Sequence, residues 1–381
     1  MINRRDFLAT GSLLGTLGAG LNPLAALAQS DRARASSSTS GASATGASTS
    51  GASASGIPPP GASAANASTT GASVTGAPLI AMTPFGFIAD FLEMMNAVSG
   101  GHFKRSGLDI RLLGGAGAAA SLQQLLAGRV TFVRGTGLDT IKIAAQGQPV
   151  VSIATLYQTG YWYVMSAKSS PITSAEALRG RTIGIVSVKG STENYLDLML
   201  AKVGLPPESV RREVVGNSPG AFGLISQGRI DGFIASASVL ATLRAKKLPV
   251  EAFDCDRYAS IPAQCYLTTR ATIQSEPARV RQFVQALRAS AEEMLSGDYF
   301  AILDRAAREF EITGLRDREE LAIAFEIVKQ SWLSTGRANL MRNRPEQWRG
   351  AAQAITAAGL ADARMPDRMY TNEFVDPPAR V

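Results

Sequence analysis

Small residues recur where short apolar runs end. Gly114-Gly115-Ala116-Gly117-Ala118 follows Leu113, Gly135-Thr136-Gly137 follows the run ending at Val133, Lys189-Gly190-Ser191-Thr192 follows Ser187, Gly216-Asn217-Ser218 follows Val215, and Ser236-Ala237-Ser238 follows Ile234. A strand passing into a helix through such residues leaves backbone N–H groups unpaired in the first helical turn, and with neighbouring hydroxyls these suit a small hydrogen-bonding solute or an anion. The chemistry on offer is binding rather than bond-making. Each junction alone also reads as an ordinary helix cap. Converging on one cleft, they would make a polar cradle whose candidate contacts are Gly115, Gly117, Ala118, Thr136, Gly137, Gly190, Ser191, Thr192, Asn217, Ser218 and Ser236. Arg134, just after a buried-looking run, could fork onto a carboxylate or sulfonate, or form a salt bridge at the edge of the cleft. Tyr157, Tyr161, Trp162 and Tyr163 could stack on a planar ligand or pack one lobe on another; Trp162 is the candidate carried forward.

Other chemistries are poorly supplied. One histidine, His102, and two cysteines, Cys255 and Cys265, in 381 residues are too few for a His/Cys metal cage or a histidine-dependent nucleophile. His102 reads as an exposed turn residue. Cys255 and Cys265 enclose a short loop and are expected to form a disulfide, adding about 3 kcal/mol in the loop-entropy account. Gly115 to Ala120 fits G-x-G-x-x-A, but the following strand ends in Arg134 instead of an acid, and Asp139 lies in the next helical run, so no dinucleotide is expected. The net charge of +7 is thinly spread, which argues against nucleic acid. No cofactor or metal is expected.

The elements that must position these residues alternate. Residues 1–28 read as an export signal with consecutive Arg4 and Arg5 before Phe7-Leu8, of twin-arginine type, cut after Ala28. Residues 29–77 are a linker in which Ser36 to Ala77 repeats Gly-Ala-Ser with a period of five and carries Ala, Ser and Thr rather than Leu or Phe in the slots a solenoid would bury, hence a flexible coil. From Pro78 onward, strand-like runs interleave with helical ones, which predicts an α/β fold. Leu126-Ala127-Gly128-Arg129-Val130-Thr131-Phe132-Val133 is nearly repeated by Ser226-Gln227-Gly228-Arg229-Ile230-Asp231-Gly232-Phe233-Ile234, so two lobes of similar plan are expected. Long strands at 150–165 and 264–268 mark a two-strand hinge, giving lobe 1 as 78–161 with 264–381 and lobe 2 as 162–263. Val280, Phe283, Val284 and Leu287 form the apolar face of a helix in the tail.

Several motifs, in order from about Pro78 to Phe374, resemble the substrate-binding proteins of ABC importers for nitrate, sulfonates, taurine and thiamine-precursor pyrimidines. They are Gly101-His102-Phe103-Lys104-Arg105-Ser106-Gly107-Leu108-Asp109, Gln146-Gly147-Gln148-Pro149-Val150, Leu178-Arg179-Gly180-Arg181-Thr182-Ile183-Gly184, Gly228-Arg229-Ile230-Asp231 and Tyr370-Thr371-Asn372-Glu373-Phe374. The resemblance implies a type 2 periplasmic-binding-protein fold, each lobe a mixed, mostly parallel sheet flanked by helices. It also implies a ligand contact at Phe85 in the loop Thr83 to Phe87. The chain departs from the family pattern at His102, Thr131 and Arg134. Some pyrimidine synthases share this fold but need a cysteine-rich motif and histidines, which this sequence lacks. The expectation is therefore a monomeric, non-enzymatic periplasmic protein that closes on a small solute and passes it to a permease in the inner membrane. Arg134 and the helix N-termini favour a sulfonate- or carboxylate-like solute over a neutral pyrimidine; a sensor or an enzyme on the same scaffold is the alternative.

Overall fold

The computed structural model describes residues 78–376 apart from 316, so the expected signal at 1–28 and linker at 29–77 lie outside the described residues. The chain opens with β1 (Leu79–Met82), β2 (Ile110–Leu113), β3 (Phe132–Gly135) and β4 (Val150–Tyr157), separated by α1 (Leu92–Ser99), α2 (His102–Arg105), α3 (Ala118–Leu126) and α4 (Gly137–Ala145). Next come β5 (Trp162–Ala167), β6 (Thr182–Ile185), β7 (Arg211–Val214), β8 (Gly232–Ser236) and β9 (Val250–Asp254), with α5 (Ser191–Lys202), α6 (Phe222–Ser226) and α7 (Ala237–Ala245). The strand β10 (Gln264–Thr269) then leads to α8 (Arg270–Ser275), α9 (Pro277–Ser296), α10 (Tyr299–Ala307), α11 (Arg318–Leu333) and α12 (Pro345–Ala357). No described helix is long and apolar enough to cross a membrane.

The strands form two five-stranded sheets, β2-β1-β3-β10-β4 and β7-β6-β8-β5-β9. Each is a mixed, mostly parallel sheet: four strands run in one direction and one runs against them. The reversed strand is the one that arrives from the other lobe: β10 lies antiparallel between β3 and β4, and β5 lies antiparallel between β8 and β9. Segments 158–161 and 255–263 make the two crossings, and the Gly160 N–H donates to Asp256 Oδ2 at 2.8 Å between them.

The repeated words are repeated geometry. Gly128 and Gly228 both turn left-handed, at φ +68° and +67°, a conformation that costs glycine little. Their N–H groups donate to Leu125 O and Ile225 O, each at 3.0 Å. Three residues on, Thr131 N–H donates to Ile80 O and Asp231 N–H to Thr182 O, each at 2.8 Å, which sets β3 beside β1 and β8 beside β6.

The tail helices complete lobe 1. Val280, Phe283, Val284 and Leu287 of α9 are fully buried, and Phe283 stacks on Phe132 at 3.8 Å between ring centroids. Burial of each such side chain is worth roughly 1.5–3 kcal/mol.

Two expectations are corrected in this framework. His102 is not an exposed turn residue: it opens α2, is 8% exposed, and its Nε2 lies 2.6 Å from Glu293 Oε2 while Arg105 reaches its Nδ1. The α2 helix is packed on α9, which turns the ring inward. Cys255 and Cys265 are both buried free thiols. Cys255 sits in the turn that follows β9 and Cys265 within β10, at opposite ends of the crossing segment. The Cys265 Sγ sits 3.4 Å from Thr155 Oγ1, and burial pushes its thiol up to about 12.

Candidate functional site

A narrow cleft, nearly closed in this structure and partly open to solvent, lies between the lobes. Lobe 1 contributes Pro84, Phe85, Phe91, Ala118, Gly135, Thr136, Tyr161 and Gln264; lobe 2 contributes Trp162, Val186, Ser187, Ser191 and Thr192. Six of the expected contacts are therefore here: Phe85, Ala118, Thr136, Trp162, Ser191 and Thr192. The walls are aromatic. Phe85 and Phe91 meet at 5.0 Å between centroids, and Tyr161 meets Trp162 edge-on at 4.6 Å. Between the rings lie hydroxyl and amide groups. Thr192 Oγ1 accepts the Val186 N–H at 2.9 Å, fixing the turn from β6 into α5. The buried Trp162 Nε1 finds no acceptor among the described residues. None of the lining residues carries a charge.

Arg134 is not a free cation at the cleft mouth. It is fully buried, with Nε 2.8 Å from Glu93 Oε1, and donates to Gln264 Oε1 at 2.7 Å and to Asp90 O at 3.0 Å. Its guanidinium lies over the Phe91 ring, 4.6 Å from the centroid. Burial opposes its charge, but Glu93 together with Tyr266, Tyr161 and Tyr157 outweighs that and holds it protonated. Burial also lifts the Glu93 carboxyl above its usual range, against the pull of Arg134 and the Tyr266 hydroxyl. The arginine backs the aromatic wall and leaves no guanidinium for a ligand.

Other expected contacts serve the scaffold. A Cβ on Gly115 would lie 2.4 Å from Thr83 O, and one on Gly137 would lie 2.7 Å from Pro262 O, so both glycines permit close backbone packing. Gly117, at φ +127°, brings the start of α3 against Ser187 across the cleft, and Gly190 caps α5. Asn217 and Ser218 line a wider neighbouring groove that also includes Asp90, Ser238, Lys246 and Glu320. Ser236 is buried and bonded to Asn217 and Ser238.

Residues not singled out from sequence join the lobes. Asp139, 4% exposed, accepts from Thr136 Oγ1 at 2.8 Å within lobe 1 and from Ser191 Oγ and Asn194 Nδ2 of lobe 2, each at 2.6 Å. Burial pushes its carboxyl up while these three donors pull it down. On the other side, Asp90 accepts from Ser238 Oγ at 2.8 Å and Tyr161 OH at 3.3 Å, and Lys246 pairs with Glu320 at 2.9 Å. The cap of Asp139 on Thr136 was legible as a T-x-x-D pattern. Its partners on another lobe were not.

The fold is shared with alkanesulfonate-binding proteins. One from Xanthomonas axonopodis pv. citri, bound to MOPS, is 13% identical with a TM-score of 0.59, covering 78% of this chain and 98% of that one. The periplasmic aliphatic sulphonate-binding protein of Escherichia coli is 14% identical with a TM-score of 0.57, covering 77% and 92%. Among curated proteins, a 4-amino-5-hydroxymethyl-2-methylpyrimidine phosphate synthase of Saccharomyces cerevisiae is 24% identical over 211 residues, 51% of this chain and 61% of that protein. The chain thus spans less than two thirds of that relative. A riboflavin-binding protein of Chloroflexus aurantiacus is 25% identical over 254 residues, 65% of this chain and 70% of that protein. The family model described as NMT1/THI5 like matches residues 88–297, more than half of the sequence, and the chain belongs to that family.

Proposed function

We propose that the protein captures a flat, uncharged heteroaromatic solute of the pyrimidine class between its lobes and delivers it, unaltered, to the membrane permease of an ABC importer. The observation that carries this reading is the lining: four aromatic side chains, Phe85, Phe91, Tyr161 and Trp162, interspersed with hydroxyls and an amide, and no charge. Rings of this kind contribute roughly 0.5–1.5 kcal/mol per stacked or edge-on pair beyond their buried area. The unpaired Trp162 Nε1 offers a donor to a ring nitrogen or carbonyl. A ligand touching both walls binds the closed form better and shifts the population towards it.

The sulfonate or carboxylate solute favoured by sequence alone needs a cation, and Arg134 is already held by Glu93. One relative is named as the synthase of a pyrimidine phosphate and another as a riboflavin-binding protein, and both names contain a flat nitrogen heterocycle, which supports a heteroaromatic solute. Capture is favoured over synthesis because His102, Cys255 and Cys265 are not among the lining residues. Such a component works in the periplasm, where the twin-arginine signal at 1–28 would deliver it already folded.

The test is a titration of tryptophan fluorescence and melting temperature with 4-amino-5-hydroxymethyl-2-methylpyrimidine, riboflavin and a series of alkanesulfonates, together with an assay for product. A response to the heterocycles without turnover is expected. A response confined to the sulfonates, or accumulation of product, would overturn the reading.

A further inference from the structure

Two helices from opposite lobes meet end to end beside the cavity. The α4 helix begins at Gly137 with Thr136 as its cap, and α5 begins at Ser191. The positive ends of both helix dipoles therefore gather at one spot. Thr136, Ser191 and Asn194 add three side-chain donors there, each less than a tenth exposed, and Lys142 Nζ donates to Asn194 Oδ1. Everything about this spot suits an anion, and an acidic side chain fills it: all three donors point at the two oxygens of Asp139.

We propose that Asp139 is a specificity-determining residue that acts as a built-in anion, occupying the seat that a sulfonate or carboxylate solute would take and so restricting the cavity to uncharged solutes. Thr136 and Ser191 both line the cavity while giving their protons to Asp139. A second anion reaching for the same hydroxyls would find them committed. It would also stand within about 4 Å of a carboxylate, which at an effective dielectric near 20 lowers affinity on the order of a thousandfold. The two bonds from Ser191 and Asn194 join α5 to α4 across the cleft, so the residue that bars anions also holds the lobes together when no solute is bound. The inference rests on the neutral-solute reading above and names the side chain that enforces it.

The experiment uses the mature protein and the variants Asp139→Ala and Asp139→Ser, which vacate the seat and leave its donors in place. Formate and methanesulfonate are the probes, read by melting temperature, with 4-amino-5-hydroxymethyl-2-methylpyrimidine as a parallel arm. The unaltered protein is expected to ignore both anions, whereas the variants are expected to melt lower in plain buffer and to regain several degrees with either anion. Apparent affinities for the anions should rise at least about tenfold over the unaltered protein. If neither variant melts cooperatively in buffer, recovery of a cooperative transition on adding formate supports the assignment, and no recovery overturns it. It is likewise overturned if folded variants ignore both anions, or if the unaltered protein is stabilised by them as strongly as the variants. The pyrimidine arm separates the two claims: a shift in the unaltered protein with no gain of anion binding in the variants sinks the role of Asp139 alone. A gain of anion binding with no heterocycle shift anywhere sinks the neutral-solute reading alone.

Discussion

Arg134 Nε lies 2.8 Å from Glu93 Oε1, and neither side chain is more than 1% exposed. A guanidinium and a carboxylate taken this far from water are stable only as a pair, because the desolvation of each is offset by the other. Loss of one partner is expected to cost about 3–5 kcal/mol in both Glu93→Gln and Arg134→Met. The combination Glu93→Leu with Arg134→Met should lose much less than the sum of the single changes. Urea denaturation of the three variants measures it, and additive losses would show that the two groups do not depend on one another.

That pair also shows where sequence reasoning stops. The strands are legible because their apolar runs are local: β10 (Gln264–Thr269) matches the expected strand at 264–268 to within one residue. The edge strand β9 is not, since Val250 and Phe253 are its only buried residues and the run carries two acids. Hydroxyls at strand ends were legible as site candidates for the same local reason, and Thr136, Ser191 and Thr192 do line the cavity. The charge on Arg134 was legible, but its neutralisation comes from Glu93 on another element. Asp139 was similarly visible only as a helix residue, because Asn194 lies 55 positions away in the other lobe. Local pattern reports which groups are present; only the tertiary pairing reports which of them are still free.

The hinge carries a titratable contact. Asp256 accepts the Gly160 N–H at 2.8 Å, linking the two crossing segments, and burial with the nearby Asp254 pushes its carboxyl up to about 7 although the Gly160 N–H pulls the other way. A folded state that holds this proton more tightly than the unfolded chain loses stability as pH rises from the usual aspartate value near 4 to about 7. Above that window the contribution is level. Asp256→Asn keeps an acceptor for Gly160 and removes the titration. Its stability relative to the unaltered protein should therefore climb between about pH 4 and 7 and then flatten, as measured by urea unfolding across that range. Parallel pH profiles would show that Asp256 does not titrate in this way.

The two lobes solve the exit from a helix into a strand with the same geometry but different residues. After α4, Gly147 adopts φ +82° and its N–H donates to Ala144 O at 2.9 Å; after α7, Lys247 adopts φ +54° and its N–H donates to Arg244 O at 2.9 Å. Each is followed two residues later by a proline, Pro149 or Pro249, before the strand begins. A side chain in the left-handed region costs on the order of 1 kcal/mol, which glycine avoids. Nothing lies within 4 Å of a Cβ added to Gly147, so Gly147→Ala isolates the backbone cost and should destabilise by about 1 kcal/mol. The reciprocal change, Lys247→Gly, should stabilise by roughly 0.5–1 kcal/mol, less whatever the freer unfolded chain takes back. Melting curves of the two variants decide the matter: opposite shifts are expected, and shifts of the same sign would mean that contacts of the Lys247 side chain, not its backbone angle, govern that turn.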